Sequence, residues 1–206
     1  MKDTVVQVIR KGGCARVLLE SGAVLRVPHA LYEMRKLYPG REIDPEEYAV
    51  WRKTTEYQAA LERAVKYLEG RERSEGEVRE CLKKSGYEEE ATEKVILTLK
   101  ENRILSDARF AGLWVDARAQ KLGRSRIRAE LMHKGIDADT AKAALSGFTE
   151  EDELEMAADQ ARRLMKRKSD PQKLLAALVR KGYSFSVAKA AMKKAGSEEA
   201  DAEEEY

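Results

Sequence analysis

The sequence predicts a mainly α protein, with three tandem three-helix repeats forming an elongated curved array after a small β-containing N-terminal unit. Three observations predict it. A helix ending of leucine, three residues, glycine and a large apolar residue occurs as LKKSGY (Leu82–Tyr87), LMHKGI (Leu131–Ile136) and LVRKGY (Leu178–Tyr183). Apolar residues on both sides of each ending recur at helical spacing. Charged residues make up 37% of the chain and aromatics 6%, which suits thin helical cores, while 43% hydrophobic residues in regular register argue against disorder.

The first unit is expected over 1–53. TVVQVIR (Thr4–Arg10), CARVLLE (Cys14–Glu20) and AVLRV (Ala23–Val27) are β-rich runs separated by Gly12-Gly13 and Ser21-Gly22, the pattern of an antiparallel meander. His29–Tyr38 reads as a short helix stopped by Pro39-Gly40. Asp44-Pro45 is an N-cap followed by proline at the first helical position.

The repeats are expected over 54–103, 104–148 and 149–196. Their first helices align Leu61, Ala64, Val65 and Leu68 with Phe110, Leu113, Trp114 and Ala117, and with Leu154, Ala157, Ala158 and Ala161. Each set is one apolar face, so Phe110 and Trp114 are expected in the core. The second helices align Val78 and Leu82 with Ile127 and Leu131, and with Leu174 and Leu178. Gly86, Gly135 and Gly182 then stand where a helix end needs a left-handed residue. The third helices align Tyr87, Ala91 and Val95 with Ile136, Thr140 and Ala144, and with Tyr183, Val187 and Ala191. Ser74 with Glu77 and Thr149 with Asp152 read as capping boxes, and Asp137, Asp170 and Ser184 as N-caps. Residues 197–206 are acidic without an apolar face, and a disordered tail is expected there.

No enzyme chemistry emerges. His29 and His133 lack partners at ligand spacing, so neither a metal site nor a catalytic triad is expected. No phosphate-cradling loop is present, and no cofactor is expected. Cys14 and Cys81 have no metal-type spacing and fit a reduced compartment. The N-terminus lacks a signal-peptide core and no run is long enough to span a membrane, so a cytoplasmic monomer is expected.

The cations are more informative. The net charge of +2 conceals a body of +8 followed by ten residues of −6, and most of the positive charge lies after residue 105. Such a half suits a polyanion or an acidic groove. Arg118, Lys121, Arg124, Arg126, Arg128 and Lys134 cluster in the second repeat, and Arg162, Arg163, Lys166, Arg167 and Lys168 in the third. Lysines in a last turn complement the helix dipole. Arg124, Arg126 and Arg128 instead open a helix, against that preference, which marks them as candidates for binding.

Two stretches carry a family resemblance. ALERAVKYLEGRERSEGEVRECLKKSGY (Ala60–Tyr87) and SDARFAGLWVDARAQKLGRSRIRAELMHKGI (Ser106–Ile136) resemble the RecX family of bacterial recombination regulators, over about residues 59–183 in all. Asp107, Arg109, Phe110, Ala111, Arg118, Gly123, Ile127, Arg128, Glu130, Leu131, Lys134, Gly135 and Ile136 fall where the family motif expects them. The resemblance implies tandem three-helix repeats and a non-enzymatic role. Such proteins bind the RecA recombinase, lodge in the groove of its filament on single-stranded DNA and restrain it. Its ATPase, strand-exchange and co-protease activities fall, and the last connects to the SOS response through the LexA repressor. An N-terminal extension, common in longer members, corresponds to residues 1–53.

The expected partner is therefore a RecA filament, with weak binding to single- or double-stranded DNA as a secondary expectation. The eleven cations named above would pair with it. The alternative is direct DNA binding through helix-turn-helix-like modules. Against it, the segment Asp137–Phe148 offers only Lys142 as a cation for a reading helix. A solenoid scaffold for another protein is a third reading.

Overall fold

The computed structural model describes residues 2–165 and 170–204, with side chains as far as residue 197. The chain divides into two compact units, residues 1–106 and 107–206.

The first unit begins with the expected meander, β1 (Asp3–Lys11), β2 (Cys14–Leu19) and β3 (Val24–Pro28). A two-residue β4 (Glu42–Ile43) joins the far edge of β1, giving the antiparallel order β3-β2-β1-β4. Val5, Val17 and Val27 face inward with Leu31 of α1 (His29–Arg35), Leu37 and Ile43. So small a sheet needs a cover for that face. Val78, Leu82, Val95 and Leu99 complete the same core from α3 (Glu75–Lys84) and α4 (Glu89–Glu101). The boundary expected at 53/54 instead falls inside α2, one helix running Pro45–Leu68. The meander and the first repeat are one unit because neither buries its apolar face alone.

A buried ion pair ties them. Arg52 is 8% exposed and Glu56 3%. Arg52 Nε and Nη2 donate to the Glu56 carboxylate at 3.2 and 2.8 Å, and Nη2 lies 2.9 Å from Glu88. The same guanidinium donates to the Arg26 carbonyl of β3 and to the Gly86 carbonyl before α4, both at 2.9 Å. Glu56 also accepts the Glu88 backbone N–H at 3.0 Å, which helps because Glu88 caps α4 without a side-chain bond of its own. Charges this deep are tolerated when such hydrogen bonds surround them.

The second unit contains α5 (Asp107–Ala119), α6 (Arg124–His133), α7 (Ala138–Leu145), α8 (Glu150–Met165), α9 (Pro171–Arg180) and α10 (Phe185–Glu204). The expected caps form at Asp44, Ser74, Asp137, Thr149, Asp170 and Ser184. Three apolar faces differ from expectation. On α2 Ala60 and Ala64 are buried, while Val65 is 40% exposed. On α5 the buried residues are Phe110, Ala111 and Val115, while Leu113 is 51% exposed and Trp114 only half-buried. On α7 they are Ala141 and Leu145, one position beyond Thr140 and Ala144. Adjacent stripes of a helix satisfy the same spacing, and the neighbouring helices decide between them. α10 continues to Glu204, across the boundary at 197 where a disordered tail is expected; its Ala and Glu residues have high helix propensity.

The second and third repeats meet through backbone. Gly123 N–H donates to the Lys181 carbonyl at 2.9 Å. A Cβ on Gly123 would lie 2.4 Å from the Gly182 carbonyl, and one on Gly182 would lie 2.3 Å from Arg126 Cβ. Gln160 and Lys181 side chains add bonds to the Gln120 and Lys121 carbonyls at 3.0 and 3.3 Å. In the third repeat, Ala157, Ala158 and Ala161 of α8 face Ala188, Ala191 and Ala195 of α10, small residues that allow close approach of the helices.

These contacts set three expectations, each read from urea unfolding. Gly182→Ala combines a left-handed φ of +93° with a backbone clash, and should cost about 2–4 kcal/mol, whereas Gly22→Ala, with φ +85° in open space, should cost about 1–2. Equal costs would mean the Gly123–Gly182 contact is dispensable. Glu56→Ala leaves Arg52 buried without its main partner and should cost about 3–5 kcal/mol. Trp114→Ala should cost about 2 kcal/mol, below the range of about 3–5 for a fully buried ring, because part of it faces water.

Candidate partner-binding surface

The cations predicted to bind fall into separate settings. One group surrounds Trp114. Its ring stacks on Phe110 at 5.7 Å between centroids, and its Nε1 donates to Glu130 at 3.1 Å. The Arg118 guanidinium and the Lys134 ammonium lie 4.5 and 4.4 Å from the ring centroid. Arg118 Nε and Arg126 Nε approach the Glu130 carboxylate at 3.3 and 3.5 Å. Arg118 Nε makes no hydrogen bond, so its approach is a charge contact without donor alignment. Arg118, Arg126 and Lys134 thus hold the outer face of the Trp114 cluster together by cation–π and ionic contacts.

The start of α6 is different. Gly123 is its N-cap and offers no side-chain bond. The carboxylate of Glu153, from α8, takes the Arg124 N–H at 2.8 Å and is itself 6% exposed. An anion from the next repeat therefore meets the positive end of the α6 dipole, which offsets the unfavourable placement of arginines there. The Arg124 side chain turns toward α7, with Nη2 3.5 Å from the Leu145 carbonyl. Arg124, Ser125 and Arg128 of α6 and Lys142 and Leu145 of α7 line a notch of about 180 Å³. Among the described residues no carboxylate lines it, and Arg128 and Lys142 are exposed.

The remaining predicted residues are dispersed. Lys121 is exposed in the α5–α6 loop. Arg162 pairs with Asp159, one turn earlier on α8, and Arg163 is exposed. Lys166, Arg167 and Lys168 lie outside the described residues. Lys142 is a solitary cation along its own helix, and the packing of α7 on α6 sets it beside Arg124 and Arg128. Its only sequence signal was a position one turn before the buried Leu145.

The first unit carries a larger cleft, about 430 Å³, walled by Leu25, Tyr48, Ala49, Tyr57 and Ala91. Most of its charges are paired: Lys53 and Lys94 reach Glu90 at 3.4 and 2.8 Å, and Arg52 reaches Glu56 and Glu88. Burial pushes the Tyr48 hydroxyl up to about 12 and raises the Cys81 thiol, so both stay protonated at neutral pH. Among the described residues no group of three or more His, Cys, Asp or Glu side chains could hold a metal ion. No helix among them is long and apolar enough to cross a membrane.

Two family models match the repeats. The one described as RecX, first three-helix domain, matches residues 60–99, from within α2 to the end of α4; RecX, second three-helix domain, matches 106–145, from α5 through α7. The regulatory protein RecX of Amycolatopsis mediterranei is 31% identical over 172 residues, covering 78% of this chain and 94% of that one. The regulatory protein RecX of Listeria welshimeri is 33% identical over 146 residues, covering 67% of this chain, which thus spans 54% of that longer relative. A crystal structure of regulatory protein RecX superposes with a TM-score of 0.64 at 25% identity, over 93% of this chain and 99% of that one. The two matching family models and relatives 31–33% identical over most of this chain place it in the RecX family of regulatory proteins.

Proposed function

We propose that this chain regulates a RecA recombinase by binding its filament on single-stranded DNA and restraining it, so that ATP hydrolysis, strand exchange and co-protease activity fall. Membership of the RecX family supports the partner. The observation that carries the surface is the start of α6, where Arg124, Arg128 and Lys142 point into one notch without a carboxylate in its lining. Exposed cations of this kind steer the protein to an anionic filament and then pair with it. Lys121 and Arg163 are exposed as well and add to the positive charge of the second unit. Arg118 and Lys134 serve chiefly to keep α5 and α6 in register, and Arg126 pairs with Glu130 of its own helix. Restraint of this sort needs no bond making, and the protein acts as a binding partner rather than a catalyst.

Direct reading of duplex sequence has less support. α7, the helix after the glycine turn, contains no Arg, Asn or Gln, the side chains that base edges favour.

The test is single-stranded-DNA-dependent ATP hydrolysis by a bacterial RecA with this protein titrated in. Wild type should inhibit at substoichiometric amounts. Arg124→Gln combined with Arg128→Glu should retain helical content and need several-fold more protein for half-inhibition. Glutamine is preferred at 124 because its amide can still donate to the Leu145 carbonyl, whereas a carboxylate there would set two acceptors against each other. Unchanged inhibition by the folded variant removes α6 from the interaction. No inhibition by wild type removes the filament reading itself.

A further inference from the structure

The α6–α7 notch has a more specific chemistry than a positive patch. Among the described residues, every polar side chain that lines it is a donor: two guanidiniums, one hydroxyl and one ammonium. They come from two walls. Arg124, Ser125 and Arg128 belong to consecutive turns of α6, and Lys142 stands opposite on α7. The buried Leu145 provides the floor, and its carbonyl steers the Arg124 guanidinium. The α6 N-terminus plays no part, since Glu153 already takes the Arg124 N–H. That carboxylate sits behind the backbone, so three cations against one buried anion leave the notch positive.

We propose that Arg124, Ser125, Arg128 and Lys142 seat one phosphodiester group of single-stranded DNA, an assignment that rests on reading this surface as the one that meets the filament. A volume of about 180 Å³ is below the roughly 300–1,000 Å³ of small-molecule pockets and suits one small group, and the cationic lining rather than the size favours an anion there. A phosphate is tetrahedral and accepts donors from several directions. A carboxylate is planar and is best held by one guanidinium fork in its own plane. Donors on two facing walls favour the phosphate. The seat reads no sequence, because backbone contacts position a protein on a strand without distinguishing bases. Lys142 is then a binding residue, although the same lysine gives no support to a base-reading helix.

The test measures binding of the full chain to a fluorescent oligothymidylate across a range of salt. Lys142→Gln and Arg128→Gln should each weaken binding several-fold and lower the slope of log affinity against log salt by about 0.7, one phosphate contact on a single strand. Lys193→Gln, an exposed cation on α10, is the control and should change neither. Circular dichroism checks that each variant is folded. Failure of wild type to bind at low salt, or binding that folded Lys142→Gln leaves unchanged, overturns the seat. So does a polyglutamate peptide that displaces the oligonucleotide from wild type and loses affinity for Lys142→Gln to the same extent, which would assign the notch to protein carboxylates. RecA hydrolysis separates the two readings. Inhibition that survives while oligonucleotide binding ignores Lys142 sinks the seat alone. Loss of oligonucleotide binding in Lys142→Gln, with no RecA inhibition by wild type, sinks the filament reading and keeps the seat.

Discussion

Each repeat turns on a residue that must adopt a left-handed backbone. Gly86, Gly135 and Gly182 have φ of +86°, +84° and +93°. The hydrogen bonds around them are the same three times. The N–H after each glycine, from Tyr87, Ile136 and Tyr183, donates to the carbonyl of Leu82, Leu131 and Leu178 at 3.2, 3.1 and 3.3 Å. Each glycine N–H donates to Lys83, Met132 or Val179 at 2.9–3.0 Å. This is the paired closure that ends a helix and satisfies its last carbonyls. It also drops a large apolar side chain, Tyr87, Ile136 or Tyr183, into the core below the helix it has just left. The angle between second and third helices, and with it the burial of both, follows from a conformation only glycine adopts cheaply.

The missing Cβ is used a second time. Gly86 lies against Cys14 of the meander, where an added Cβ would come within 3.0 Å of the cysteine Cβ. Gly182 lies against the first turn of α6. In both places the turn of one three-helix repeat is the docking point for the element before it in the chain. One residue type thus ends a helix and admits a neighbour. The polar groups close by follow the same logic: Arg52 collects the Gly86 carbonyl in the first unit, and Gly123 the Lys181 carbonyl in the second.

Legibility followed from how local each determinant is. The glycine endings, the capping box at Ser74 and the proline-led helices at Pro45 and Pro171 depend on residues within one turn, and all form where the sequence puts them. β4 is two residues long and exists only because β1 lies beside it. The fusion of the meander with the first repeat depends on a core assembled from residues as far apart as Val5 and Leu99. The choice of Ala111 and Val115 over Leu113 and Ala117 depends on what α6 and α7 present to α5. Periodicity identifies a face only to within one neighbouring stripe. The candidate surface was legible in part for the same reason. Arg124 and Arg128 share a face by spacing alone, but Lys142 joins them only once α7 packs on α6.

The division of the cations follows from that packing. α6 carries arginines at 124, 126 and 128, and a helix turns about 100° per residue. Positions 124 and 128 therefore share a side, and 126 looks away from both. Its side meets Glu130, four residues on in the same helix, in a 3.5 Å ion pair whose carboxylate also takes Arg118 of α5. The opposite side meets α7, which brings a lysine and no acid into the notch. Charge that is compensated stiffens a fold, and charge left open to solvent is available to a partner. An alternation of arginines two residues apart assigns one helix both tasks without placing them in competition. The cationic stretch reads as uniform along the chain only because sequence order hides which way each side chain faces.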